Sequence, residues 1–168
     1  MFWPYWFQVL GLSLVQKTPR LQWVGVAENG VIPSKAVPVR TNGASLFYFC
    51  EVTDFSKGGV RIPGTLKPTD NSCKYEVDGA VKSSTVFNVL VNSGGASLKW
   101  KYRSPKAKPP AGAVKCHEGD NCYLGQSVYG DGICEELPGK IFSGQTQMIM
   151  TNDKKVFKCP FKVYLVEK

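Results

Sequence analysis

Two short segments of the chain recur about 75 residues downstream, and this internal sequence repeat constrains the fold more than any other feature. The matching pairs are residues 32–37 (IPSKAV) with 109–114 (PPAGAV), and residues 62–66 (IPGTL) with 137–141 (LPGKI). A repeat period of this length is too long for a propeller blade or a solenoid turn. The recurrence of these segments therefore predicts a duplication, with one repeat at residues 21–92 and another at 98–168. We expect both repeats to form one globular unit with pseudo-twofold symmetry.

Short runs with strand-like patterning lie between the matched segments. Residues 98–103 (LKWKYR) alternate between apolar and basic side chains, which is typical of a half-buried strand with a solvated basic face. Further strands are predicted at residues 21–26, 46–52, 85–91, 122–128 and 158–166. No helical periodicity of useful length occurs, and the 17 glycines and 11 prolines favour turns. The sequence thus predicts an all-β fold of two tandem antiparallel β repeats.

The N-terminal segment, residues 1–20, carries two interpretations. Residues 1–15 are apolar and contain a small-x-small pattern at Gly11 to Ser13, which favours a signal peptide cleaved near residue 13. No Lys or Arg precedes the apolar run, and Pro4 interrupts it, which favours an aromatic arm packed on the domain. The run is too short to span a bilayer. Extracellular and cytoplasmic locations both stay open.

The net charge of the chain excludes few classes of binding partner by itself. The formal net charge is +8 and the pI is about 9.2, a balance that attracts anionic glycans and acidic membrane surfaces. No run of five like charges occurs, so the localised basic footprint of a nucleic-acid-binding protein is missing. We therefore predict no nucleic-acid partner. A homodimer and peripheral membrane association are left open.

Six cysteines leave the redox state open. They lie at positions 50, 73, 116, 122, 134 and 159. A bridge between Cys116 and Cys122 would close a short loop, and buried reduced thiols are the alternative, because free Cys is among the most buried residue types.

Enzymatic activity is not predicted. His117 is the only histidine, and the chain has no nucleophile elbow, phosphate loop or metal-binding His pair. The adjacent residues Cys116 and His117 do not have the spacing of zinc ligands. Their adjacency in sequence also does not establish a Cys–His nucleophile pair. The acidic residues near Glu118 have no fixed separation that would indicate a glycosidase pair. We expect no cofactor and no metal.

The order of motifs resembles the DM-nine repeat family across residues 21–166. The order is Trp, Pro-x-x-Ala-Val, an acidic or Asn-Gly turn, an aromatic strand, Pro-Gly-Lys and a closing apolar strand. The resemblance implies a pseudo-twofold all-β domain. Some members are mannose-binding lectins of innate recognition, and others act in infection responses or in the body surface of parasitic worms. This chain departs from the family strand Tyr-Val-Gly-Arg-Ala, because both copies lack its arginine.

The resemblance also implies a site. In lectin members an acidic residue before the aromatic strand and the lysine of Pro-Gly-Lys hold the sugar. In this chain those positions are Lys140 with Glu118 or Asp120, and the matching positions of the first copy are Asn42 and Thr65.

The chemistry of these residues suits a sugar. A carboxylate accepts two hydroxyls and an ammonium donates three hydrogen bonds, so together they match a vicinal diol. A Pro-Gly turn is expected to fix the backbone ahead of Lys140. Candidate rings for the apolar face of a pyranose are Trp100, Tyr123 and Tyr129. The sequence therefore predicts a lectin-like protein for mannose-type glycans. The alternatives are a structural or interaction protein with degenerate sugar sites, and a binder of anionic glycans or membranes.

Overall fold

The computed structural model describes eight stretches of the chain. They are residues 20–26, 30–41, 45–119, 121–128, 136–145, 148–152, 155–159 and 162–168. The two interpretations of residues 1–20 fall, except for Arg20, outside the described residues.

Within these stretches, thirteen strands form two antiparallel sheets. The strands are β1 (Gln22–Gly25), β2 (Pro38–Arg40), β3 (Leu46–Asp54), β4 (Val60–Leu66), β5 (Cys73–Val77), β6 (Ala80–Ser84), β7 (Asn88–Val91), β8 (Leu98–Arg103), β9 (Cys122–Ser127), β10 (Pro138–Phe142), β11 (Met148–Thr151), β12 (Val156–Cys159) and β13 (Lys162–Glu167). Sheet 1 has the order β1-β7-β3-β4-β5-β6 with β2 beside β3, and sheet 2 has the order β12-β11-β10-β9-β13-β8. The only helical element in the described residues is a 3₁₀ turn at Phe55–Lys57. The predicted all-β class is confirmed.

The chain passes from sheet 1 to sheet 2 between Val91 and Leu98. The predicted limits of the two repeats, the duplication and its symmetry stay predictions. The predicted closing strand at residues 158–166 is wrong as a single element. Two strands, β12 and β13, occupy this part of the chain, and they do not pair with each other.

Strand β3 explains how sheet 1 is buried on both faces. Phe47 and Phe49 belong to a core cluster shared with sheet 2, while Cys50 and Val52 belong to a second cluster on the other face. Because side chains alternate along a strand, Glu51 points to the same face as Phe49. Glu51 thus enters the space between the sheets, where it is 1% exposed.

Sheet 2 contributes the other half of the shared core. Leu124 of β9 is fully buried, and its partner across the strand pair is Lys140 of β10. Directly opposed residues share a face, so Lys140 also points into the space between the sheets. The two sheets are tied by side-chain hydrogen bonds from Thr65 Oγ1 to the Pro138 carbonyl, at 3.1 Å, and from Thr151 Oγ1 to the Lys74 carbonyl, at 3.0 Å.

The Pro-Gly pairs lie inside strands β4 and β10, so the predicted Pro-Gly turn ahead of Lys140 is wrong. Gly64 is used for close packing: a Cβ atom there would stand 2.2 Å from the Lys74 carbonyl oxygen of the neighbouring strand. Neither Gly64 nor Gly139 has the positive φ that a type II turn would require of its glycine. The pairs therefore serve sheet packing.

Disulfides reinforce both sheets. Cys50 is bonded to Cys73, which joins β3 to β5, and Cys116 is bonded to Cys122. Cys159 is also disulfide-bonded. Of the two alternatives for Cys116 and Cys122, the bridge is the one observed. A disulfide-bonded Cys116 cannot act as a nucleophile or zinc ligand.

Candidate functional site

The candidate site is built on a small loop that precedes β9. The Cys116–Cys122 disulfide closes this loop, and the Cys116 amide also donates to the Cys122 carbonyl at 3.0 Å. His117 and Glu118 lie inside it. At one end of the space between the sheets, the His117 side chain contacts Glu51 and the Glu118 side chain contacts Lys140. The disulfide therefore restricts the backbone positions of His117 and Glu118.

Lys140 is the centre of a cluster that we call the carboxylate–lysine cluster, made of Glu76, Glu118 and Lys140. Lys140 Nζ lies 2.8 and 2.6 Å from the two carboxylate oxygens of Glu118, and 2.9 Å from Glu76 Oε2. It also donates to the Glu76 carbonyl at 3.3 Å. The Lys140 side chain is only 3% exposed, against 13% for Glu76 and 20% for Glu118.

The three donors of Lys140 are therefore all engaged by protein oxygens. A sugar hydroxyl could accept from this ammonium only by taking the place of a Glu76 or Glu118 oxygen. Glu118 is the most exposed member, and a carboxylate has more lone pairs than Lys140 uses. In this arrangement Glu118 offers the accessible acceptors, while Lys140 holds the two carboxylates in position.

The two carboxylates of the cluster titrate differently, although both bind the same lysine. Burial acts against ionisation of Glu76, but a hydrogen bond from the Gly79 amide, at 2.7 Å, and the bond and charge of Lys140 outweigh it, so the pKa of Glu76 lies below its usual value. Burial raises the pKa of Glu118 above its usual value, and Lys140 only partly offsets this. The negative charge of Glu76 adds to the rise. Glu118 is thus the acid of this cluster that takes up a proton first as the pH falls.

Charged residues of sheet 1 form the rim of the cluster. Lys57 Nζ lies 2.7 Å from Asp78 Oδ1. Asp78 occupies the tight β5–β6 turn with a φ of 53°, a conformation that Asp tolerates better than most residues. The positive charge of Lys57 also acts on Glu118, where it slightly offsets the rise of the pKa. The rim adds a second exposed carboxylate and ammonium to the chemistry of the cluster.

The remaining predicted site residues do not join the cluster. Asn42 and Asp120 lie outside the described residues. Thr65 is 4% exposed, and its hydroxyl donates to the Pro138 carbonyl, so it serves the contact between the sheets. Thr65 therefore has no accessible hydrogen-bonding group to offer a sugar in this arrangement.

The predicted aromatic candidates have partners of their own. The Tyr123 ring packs on Tyr164, with centroids 6.0 Å apart, and the Trp100 ring lies 6.3 Å from that of Phe49. Tyr129 is outside the described residues. Phe142 is the ring next to the lysine, with its centroid 5.8 Å from Lys140 Nζ.

The sequence interpretation missed a second buried acid, Glu51. Its carboxylate accepts from Asn88 Nδ2 at 3.1 Å and Arg61 Nη1 at 3.3 Å, and lies 2.8 Å from His117 Nδ1. His117 is therefore an anchor that joins the Glu118 loop to the middle of sheet 1. A single acid inside the apolar run LFYFCEV was the available signal, because a charge on a buried strand needs partners.

Comparisons with known proteins add no further assignment. No protein-family model and no curated protein matches this chain. No group of three or more His, Cys, Asp or Glu side chains in the described stretches is arranged to hold a metal ion. Within the same stretches, no helix has the length and apolar character needed to cross a membrane.

Proposed function

We propose that this protein binds carbohydrate, with mannose-type glycans as its ligands and the carboxylate–lysine cluster as its site. The observation that carries the proposal is the meeting of Glu118, on the loop before β9, and Lys140, in Leu-Pro-Gly-Lys, at 2.6 Å. These are two of the positions that the DM-nine resemblance assigns to sugar binding. Their chemistry, a carboxylate held by an ammonium, suits the vicinal hydroxyls of a sugar.

In the proposed mode two hydroxyls of one sugar donate to the outward lone pairs of the Glu118 carboxylate. Lys140, which is more deeply buried than Glu118, holds this carboxylate in position. The Lys57–Asp78 pair at the rim supplies further donors and acceptors. The disulfide-bonded cysteines favour an oxidising compartment, which is consistent with an extracellular lectin of innate recognition.

Calorimetric titration with methyl α-mannoside tests the site. We expect saturable binding with a Kd of about 1 mM or tighter, and a loss of at least about tenfold in Glu118→Gln, because a neutral amide loses the charge-assisted bonds. Lys140 keeps Glu76 as its partner in this variant, so the fold should survive. Glu167→Gln, which removes a charge at the end of β13, is the matched control. Equal affinities in the two variants would remove Glu118 from the site.

Binding should also weaken in acid. The pKa of Glu118 is raised by burial, so its carboxylate is lost at a higher pH than that of an ordinary glutamate. Affinity for the mannoside is therefore expected to fall as the pH is lowered from about 7 to about 4, ahead of an unperturbed glutamate. The Glu118→Gln variant should show a flat profile over the same range. A wild-type profile as flat as that of the variant would contradict the assignment.

The second candidate is a structural or interaction protein that uses the same residues to hold its sheets together. The 3% exposure of Lys140 and the bond from Thr65 to Pro138 favour it. It predicts no saturable binding on a glycan array that includes mannose-type glycans. It also predicts no heat of binding with methyl α-mannoside at millimolar concentration.

A further inference from the structure

The positive charge of the chain is concentrated in one segment. Residues 79–117 contain seven of the 21 Lys and Arg residues and no Asp or Glu, so the rest of the chain is close to neutral. Five of the seven are exposed and lie on or after β8: Lys99, Lys101, Lys106, Lys108 and Lys115. In the described part of the chain, no Lys or Arg of this segment forms an ion pair. Within the described residues, the cations of this segment are therefore not neutralised by ion pairs.

Strand β8 arranges part of this charge in a row. Among the described strands it lies at the edge of sheet 2 and pairs with β13 alone. Lys99, Lys101 and Arg103 alternate with Trp100 and Tyr102, so the three cations share one face at intervals of about 6.8 Å. Trp100 and Tyr102 remain 39% and 54% exposed. The strand thus presents a row of cations on one face and the exposed parts of two aromatic side chains on the other.

A groove runs along this row. Its volume is about 550 Å³, and Lys99, Trp100, Lys101, Gly112 and Lys168 contribute to its lining. Glu167 is the one acid that also lines it. The proximity of Lys168 lowers the pKa of Lys99, with smaller contributions from burial and from the positive charge of Lys101. Cations have been brought together here without an acid that pairs with them.

One more donor lies at the end of the same strand. Arg103 Nε is buried and has no hydrogen-bond partner among the described residues. Because this nitrogen is buried, it contributes no accessible donor to the groove. The groove and the row of lysines together indicate a surface suited to an extended polyanion.

From these features we propose that the β8 groove binds sulfated or uronate-rich glycan chains, independently of the carboxylate–lysine cluster. Sulfates and carboxylates of such a chain pair with Lys99, Lys101 and Lys168, and a sugar ring contacts the exposed part of Trp100, which also lines the groove. A groove fits a linear chain better than a flat lipid surface. The disulfides favour compartments outside the cytosol, where acidic glycans are abundant polyanions and nucleic acids are not.

The test compares two double variants that lose the same charge. Lys99→Gln/Lys101→Gln removes two cations of the groove. Lys82→Gln/Lys158→Gln removes two exposed lysines of the edge strands β6 and β12. With a size-defined heparin oligosaccharide at physiological salt, we expect saturable binding that weakens steeply with added salt. The groove variant should bind about tenfold more weakly than the wild type, and the control within about twofold.

Several results would overturn the proposal. Equal losses in the two double variants would show that net charge alone attracts heparin. Binding to a single-stranded DNA oligonucleotide or to phosphatidylserine vesicles as tight as to heparin would refute a glycan-specific groove, and so would no binding at physiological salt. Glu118→Gln should keep its heparin affinity, so failure of this proposal and failure of the mannose site are distinguishable.

Discussion

Replacing Lys140 with methionine is expected to destabilise the protein by about 3–5 kcal/mol, one of the two largest effects that we predict. Methionine fills a similar volume, so little packing is lost. The cost arises because Glu76 and Glu118, both largely buried, lose the cation that holds them and face each other as like charges. Urea unfolding followed by tryptophan fluorescence measures the change in the free energy of unfolding.

Two comparison variants make this result specific. Lys158→Met removes an exposed lysine of β12 and should change the stability by less than about 0.5 kcal/mol. The triple variant Lys140→Met/Glu76→Gln/Glu118→Gln should recover about half of the loss or more, since no uncompensated charge remains. If Lys140→Met and Lys158→Met had equal stability, the cluster would contribute nothing to the fold.

The second large effect is expected at Glu51. Glu51→Gln should destabilise the protein by about 2–3 kcal/mol, because the buried carboxylate accepts from three side chains and an amide has only one accepting oxygen. Its NH₂ group would also face the donors of Asn88, Arg61 or His117. Thermal or urea unfolding measures the change in stability, with Glu167→Gln as the matched control.

The Glu51 variant also has a functional consequence. His117 and Glu118 are neighbours in the loop, and His117 is the residue that binds Glu51. Loss of this anchor should lower the mannoside affinity several-fold although Glu118 itself is unchanged. A Glu51→Gln variant with wild-type affinity would show that the disulfide alone positions Glu118.

The strand pattern of the sequence predicted the fold class because alternation and turn residues are local signals. Residues 98–103 and 46–52 correspond to β8 and β3, and only the ends differ. Local signals also misled, because Pro-Gly is a common turn dipeptide. In β4 the glycine is needed where the Lys74 carbonyl approaches closely, and that neighbour is apparent only once the sheet is formed.

The site was predictable only in part, for a related reason. Glu118 and Lys140 followed from the family resemblance, since both lie in motifs near each other in the chain. Glu76 and Glu51 reach the same region from sheet 1, 64 and 66 residues away from their partners Lys140 and His117. Strand alternation gives the face on which a residue lies, but not which face of another sheet it meets. These contacts between the sheets therefore required the structure.

Chemical-shift mapping on uniformly ¹⁵N-labelled protein during titration with methyl α-mannoside tests the central claim most directly. We predict that the amides with the largest saturable shifts belong to Glu118, Gly119 and Gly79, the last because its N–H binds Glu76. The amide resonances of Lys99 and Lys101 in the β8 groove should not shift. Shifts confined to β8, or no saturable shift at millimolar sugar, would contradict the assignment of the carboxylate–lysine cluster as a carbohydrate site.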